Sequence, residues 1–253
     1  MKFNELDKDM RVFETSLDQY IIPGIYIIAR LDGRGFTKLT KETLTLDKPF
    51  DLRFRDAMTK TVSHLMQTGF RITYGYNQSD EISLLLHQED KSFERKTRKI
   101  ISILAGEASA KFSIEIGHVA AFDCRLSLLP DEARVIDYLR WRNEDAHRNS
   151  LNACCYWKLR ESGKSVKEAT GIVSGKTVAE KNELLFNMGI NYNDLPSWQK
   201  RGFGCYFREE KIEAINPVSN SKTQTSRRKL YTELELPTGE AYNTLIKSIL
   251  HGA

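Results

Sequence analysis

The chain has 253 residues, 40% of them apolar and 28% charged, with a formal net charge of +4. This is an ordinary globular composition, and no run of 18 apolar residues is present to span a membrane. The N-terminal stretch MKFNELDKDMRVFE is charged throughout with no signal-peptide core, and Cys124, Cys154, Cys155 and Cys205 form no CxxC pair, so a cytoplasmic protein with reduced thiols is expected rather than a zinc site or a disulfide frame.

GIYIIARL (residues 24–31) is a continuous apolar run, which predicts a central strand buried on both faces and ending at Asp32. Phe54, Met58, Val62, Leu65 and Met66 then recur at helical spacing, with Pro49 suited to a first turn and Gly69 to the stop. FRITYGY (70–76) and EISLLL (81–86) predict a β-hairpin. A long helix is predicted over about 92–116 and another strand over 118–129. The order β–α–β–β–α–β builds an antiparallel, ferredoxin-like sheet with two helices on one face, an α+β fold. After Pro130 the chain reads as mostly helical (131–162 and 177–189) with a β-rich tail over 202–237. A boundary near residue 130 separates a palm-like region, 1–130, from a helical region, 131–253. The polar segment 216–229 is expected to be a mobile loop.

In YNQSDEISLLL (76–86) two acids stand before an apolar strand, and period two places Asp80 with Ile82, Leu84 and Leu86 on a core-facing side. A carboxylate there is costly unless something offsets it. In a split βαβ sheet the first and third strands are neighbours, so Asp32 and Asp80 should converge. Two such charges about 4 Å apart repel by roughly 4 kcal/mol at an effective dielectric of 20. A shared proton, an ion pair with Arg34 or Arg71, or a divalent cation would offset this. Magnesium accepts carboxylate oxygens and leaves sites for substrate phosphates, and two such ions clamp a phosphoryl transfer. DGRGFTKLT (32–40) adds two glycines directly after the acid, where the backbone can turn and approach a ligand closely. Lys48 precedes one helix, and Arg95, Lys96 and Lys99 fall in the first turns of the next, where an anion is also favoured by the helix dipole. A solvated face neutralised by Asp90 and Glu94 is the alternative. SRRK (226–229) is a second basic cluster. GIVSGKT (171–177) is one residue short of a P-loop and is expected to be a helix-opening turn. His147 lies in a predicted helix near Arg142, Arg148 and Asn152, in either a structural or an RNA-contacting role.

RLDGRGF (30–36), KPFD (48–51), YNQSDE (76–81), FERK (93–96), YLRWRNEDAHRNSLN (138–152), AEKNELLF (179–186) and GINYNDLP (189–196), in that order, resemble the tRNA-His guanylyltransferase family and its bacterial and archaeal like-proteins. The resemblance implies a polymerase-type palm with two magnesium ions, adding nucleotides to the 5′ end of tRNA in the 3′→5′ direction. The 5′-phosphate is activated with ATP or GTP, and the 3′-hydroxyl of an incoming triphosphate attacks. It implies Asp32, the Gly33 carbonyl and Asp80 as metal ligands. Asp32, Gly33, Arg34, Gly35, Phe36, Thr37, Ser79 and Asp80 would line the nucleotide site, with Lys48 on phosphate at the reacting centre. Arg95, Lys96 and Lys99 would meet a further triphosphate or the RNA end, and His147, Asn152, Lys181 and Asn182 would face nucleotide or tRNA. It also implies a homotetramer. Three departures stand out: Thr37 where eukaryotic members carry histidine, HRNSLN for a HINNLYN-like run, and Asn77 for glycine, asparagine being tolerant of a left-handed turn. They favour template-directed repair of tRNA 5′ ends over obligate guanylate addition to tRNA-His. A nucleotide cyclase on the same palm and a non-catalytic RNA-binding module are the rivals. NQSDE in place of a GGDEF-like hairpin argues against the first, and retention of both acids and Lys48 against the second.

Overall fold

A computed structural model describes residues 2–215 and 222–252. Its elements in chain order are α1 (Phe3–Thr15), β1 (Tyr26–Arg34), the short α2 (Phe36–Lys38), α3 (Leu52–Leu65), β2 (Ile72–Gln78), β3 (Glu81–Leu86), α4 (Thr97–Ile116), β4 (Ala121–Leu129), α5 (Glu132–Glu161), α6 (Val166–Val173), α7 (Val178–Asn187), α8 (Ser197–Arg201), β5 (Phe203–Ile215), β6 (Lys222–Glu233) and α9 (Glu240–Gly252). The described strands form one antiparallel sheet in the order β4-β1-β3-β2-β5-β6. The first four of these have the expected ferredoxin-like arrangement, with β1 and β3 adjacent.

Period two decides which side chains meet which layer. Ile27, Ala29, Leu31, Ile82, Leu84 and Leu86 pack against Met58, Val62 and Leu65 of α3 and Ile100, Leu104 and Phe112 of α4. Tyr26, Ile28, Tyr74, Tyr76 and Leu85 point the other way, onto Val135 and Leu139 of α5 and Tyr242, Ile246 and Ile249 of α9. The helices of the C-terminal region thus supply the second cover that the apolar run of β1 requires. The sheet is continuous across residue 130, because β5 pairs with β2.

Several boundaries differ from the sequence reading. α3 opens not at Pro49 but after Asp51, whose carboxylate accepts from the backbone N–H of Arg53 and Phe54. Burial alone would raise the Asp51 carboxyl; the Arg53 guanidinium and the N–H groups of Asp47, Phe54 and Arg53 hold it down at about 2. The helix predicted from residue 92 starts at Thr97, because Phe93, Glu94 and Arg95 take left-handed backbone with φ of 51°, 56° and 59°. Of the segment expected to be a loop, residues 222–229 lie in β6, and 216–221 fall outside the described residues. The terminal helices α1 and α9 were not foreseen. Of GIVSGKT, residues 171–173 close α6, and only its end opens a helix: Thr177 caps α7, accepting from the Glu180 N–H. Among the described residues no helix is long and apolar enough to cross a membrane.

Candidate active site

The hairpin carrying the two acids turns on Ser79 and Asp80, since Gln78 pairs with Glu81. Asp80 is therefore not the first residue of the core-facing row; it sits in the turn, half-buried. The left-handed residue is Ser79, at φ 54°, not Asn77. Asn77 instead holds the turn from inside, its side-chain amide donating to the carbonyls of Ser79 at 3.1 Å and Glu81 at 2.9 Å. The Ser79 hydroxyl donates to Asp80 Oδ1 at 3.1 Å. Burial pushes the Asp80 carboxyl up to about 6, with the charges of Asp32 and Glu81 adding to it and the Ser79 hydroxyl and Asp80's own N–H opposing. The two aspartates thus lie within electrostatic reach of each other.

Asp32 stands in register with Glu81 on β3 and with Asp123 on β4. Directly opposed residues share a face, so three acids form a row across the strands. The next row back is basic, because Arg30 pairs with Arg125. The Arg125 guanidinium lies 3.3 Å from Asp32 Oδ2, and that of Arg30 lies 4.0 Å from it while pairing closely with Glu81. From α5 the buried Arg142 reaches Glu81 at 2.9 Å and Asp145 at 2.8 Å. Among the described residues neither Arg34 nor Arg71 pairs with Asp80; Arg30, Arg125 and Arg142 serve Asp32 and Glu81 instead. Sequence reading gave no role at these acids to Glu81, Asp123 or this set. Once β1 and β4 are paired, the charged residues at 123 and 125 of AFDCRLSLL, two apart in an otherwise apolar strand, are the signal.

Asp80 and Ser79 open onto a cavity of about 350 Å³, a volume suited to a small molecule. Phe36, Thr37, Lys48, Phe50, Trp157, Trp198 and Asn149 also line it. The Lys48 ammonium lies 5.7 Å from the Trp157 ring centre and donates to the Thr40 carbonyl. Burial, then nearby Lys41, lowers its pKa. The Arg55 guanidinium stacks 4.9 Å over Trp198. Gly202, at φ 73°, is part of the wall, and a Cβ there would come 1.9 Å from the Asn77 carbonyl oxygen. Gly33, Asp32 and Arg34 end β1 outside this wall. Gly33 is glycine because the Phe36 ring occupies the space of a Cβ, and Gly35, at φ 74°, makes the turn into α2.

The remaining predicted residues divide. Arg95 is corrected: it is 6% exposed, and its guanidinium donates to the carbonyls of Ile21, Gln88, Asp90 and Ile25 at 2.7–3.2 Å, so it braces the left-handed turn and is not free to hold phosphate. Lys96 lies 3.6 Å from Asp18 and 5.3 Å over Tyr20, and Lys99 is half-buried in the first turn of α4. His147 packs edge-on against Tyr192, its pKa lowered by burial and then by Arg201 and Lys200. Asn152 is half-buried with Oδ1 unpartnered. Lys181 and Asn182 lie on α7, where the Asn182 amide donates to the Val178 carbonyl and the Lys181 carbonyl accepts from the Cys155 thiol.

A family model described as tRNAHis guanylyltransferase matches residues 7–130, and one described as the Thg1 C terminal domain matches 133–243. A probable tRNA(His) guanylyltransferase of Drosophila melanogaster is 34% identical over 232 residues, covering 86% of this chain and 81% of that protein. A bacterial tRNA(His) guanylyltransferase-like protein solved in complex with GTP superposes with a TM-score of 0.72 at 26% identity, covering 98% of this chain and 99% of the other. The tRNA(His) guanylyltransferase of Saccharomyces cerevisiae superposes at 0.70 with 27% identity, covering 76% and 90%.

Proposed function

This chain belongs to the tRNAHis guanylyltransferase family of nucleotidyltransferases, and from that premise we propose that it adds nucleotides to the 5′ end of tRNA in the 3′→5′ direction, templated by the opposite strand. The observation that carries this reading is the position of Asp80. Its half-buried carboxyl lines a cavity that is also lined by Lys48 and by aromatic rings, and it feels the charge of Asp32.

The donor set fits magnesium. The Asp32 and Asp80 carboxylates and the Gly33 carbonyl are hard oxygen donors, and magnesium is commonly held by one or two carboxylates with water and substrate phosphates completing its shell. An Asp80 that burial and like charges push toward protonation is also an acid that a cation would return to its charged form. When bound, the metal supplies charge neutralisation for the triphosphate and the attacking hydroxyl. The protein's own groups do the rest. The aromatic wall accepts a base, as aromatic side chains do for single nucleotides. Lys48, its ammonium partly desolvated, is placed to meet phosphate. Lys96, Lys99 and the α5–α7 surface carrying His147, Asn152, Lys181 and Asn182 are left for the RNA and a further triphosphate. The complex of the bacterial relative with GTP supports a nucleotide in this fold, and we assign activation of the 5′-phosphate to ATP or GTP.

The test is incubation with each labelled triphosphate, magnesium, ATP and GTP for activation, and 5′-phosphorylated tRNAs lacking their first nucleotide. Incorporation of whichever nucleotide pairs with the facing base, on tRNAs of several identities, is the expected result. Guanylate added only to tRNA-His would establish the obligate reaction instead, and no incorporation on any tRNA would remove the catalytic reading.

A further inference from the structure

Resting on that reading of the acid pair, we propose that Arg142 is a positioning residue: through Glu81 it clamps the turn carrying Asp80, and thereby sets the affinity of the two aspartates for a divalent cation. Glu81 directly follows Asp80 in the chain. Its carboxylate is gripped by two guanidiniums, Arg30 from β1 and Arg142 from α5. Both arginines are more than nine-tenths buried, at 7% and 4% exposure. The Glu81 carbonyl is also fixed, by the Asn77 amide. With side chain and backbone of residue 81 both held, the Ser79–Asp80 turn has little slack on that side.

Charge alone does not explain the arrangement. Two buried cations beside a cation-binding acid pair repel the metal, and burying them is expensive. A geometric role accounts for both. Arg142 is itself oriented by Asp145, which also accepts from Arg148 and, at 3.1 Å, from the Asn149 amide. Asn149 lines the cavity. The clamp is therefore continuous with the cavity wall, and it ties a helix of the C-terminal region to the catalytic turn. One nitrogen, Arg142 Nη2, serves Glu81 and Asp145 together, and a lysine ammonium, one bond nearer its own backbone, falls short of that point.

The sign of the effect on metal binding separates clamp from charge. The full chain is titrated with Mn2+ alone, and free Mn2+ is read by electron paramagnetic resonance, without nucleotide or RNA. In Arg142→Lys the charge stays and the reach to Glu81 and Asp145 is lost, so Mn2+ affinity is expected to fall five- to tenfold. In Arg142→Met the charge is also lost. Simple electrostatics demands tighter binding there, whereas the clamp demands weaker binding by at least the same factor. Lysine equal to wild type, or methionine binding more tightly, overturns the proposal. Thermal melts in metal-free buffer check that each variant is folded, and where the methionine variant is not, the lysine variant decides. Asp80→Ala serves as the control. If wild type binds no Mn2+, or Asp80→Ala binds it equally well, the acid-pair reading itself fails, and the clamp with it.

Discussion

Burial pushes the Asp80 carboxyl up to about 6 in the folded chain, from an ordinary value of 3.8. Because the folded state holds that proton more tightly than the unfolded chain, stability falls as pH rises from about 4 to about 6 and stays lower above that range. A shift of this size corresponds to at most about 3 kcal/mol, and less at a half-buried site where solvent screens it. Asp80→Asn is therefore expected to abolish nucleotide addition yet raise the melting temperature by a few degrees at pH 8 in metal-free buffer. The gain should vanish at pH 3. A variant that melts lower than wild type at pH 8 would contradict this account of the site. The sequence disclosed the carboxylate but not its neighbours, for a physical reason. Asp80 is marked by its place before an apolar run, whereas Arg30, Asp123 and Arg142 matter only once register and helix packing are known.

Among the elements, the segment entering α4 departs furthest from the pattern in the sequence. Three consecutive left-handed non-glycine residues cost about 1–2 kcal/mol each, and the four carbonyls bound by Arg95 are what offsets that cost. A basic cluster before a helix looks the same in sequence whether it meets phosphate or its own backbone, so the pattern of Arg95, Lys96 and Lys99 could not reveal which of them was spoken for. Arg95→Ala is expected to lower stability in urea by about 3 kcal/mol or more, since four carbonyls lose their charged donor. Among variants that stay folded, the salt dependence of tRNA binding should not move with it. Lys99→Ala should do the reverse, leaving stability unchanged and reducing the slope of log affinity against log salt by about one. Equal behaviour of the two would return Arg95 to the RNA surface. The β5–β6 ribbon shows another limit of pattern reading: polar, Ser- and Thr-rich residues at 222–229 look like a loop, yet pairing with β5 makes them a strand.

At the scale of the molecule, the split-βαβ core was legible because its strands and helices carry clean periods and the crossover order leaves one arrangement. What covers its second face was not, because α5 has a mixed surface and α9 stands far from the strands it packs on. Tyr26, Ile28, Tyr74, Tyr76 and Leu85 are buried by those helices. A chain ending at residue 130 would expose that face and the edge of β2. It is expected to be insoluble, or to lack fixed tertiary structure by near-ultraviolet circular dichroism; a soluble fragment with native-like signals would show the palm to be autonomous. α5, with 30 residues and so about 45 Å long, runs from this second core to the cavity, so that the region expected to contact RNA also helps build the site.

Gly202 sets a different kind of limit. With its α-carbon lodged against a peptide oxygen of the neighbouring strand, the seam where the late part of the chain meets the hairpin carrying Asp80 is main chain on main chain. No substitution there can adjust the spacing by degrees: every other amino acid acts as a wedge. The gap between the two halves is accordingly a fixed dimension of the scaffold, and the preferences of the chamber beside it can drift only through residues elsewhere on its rim.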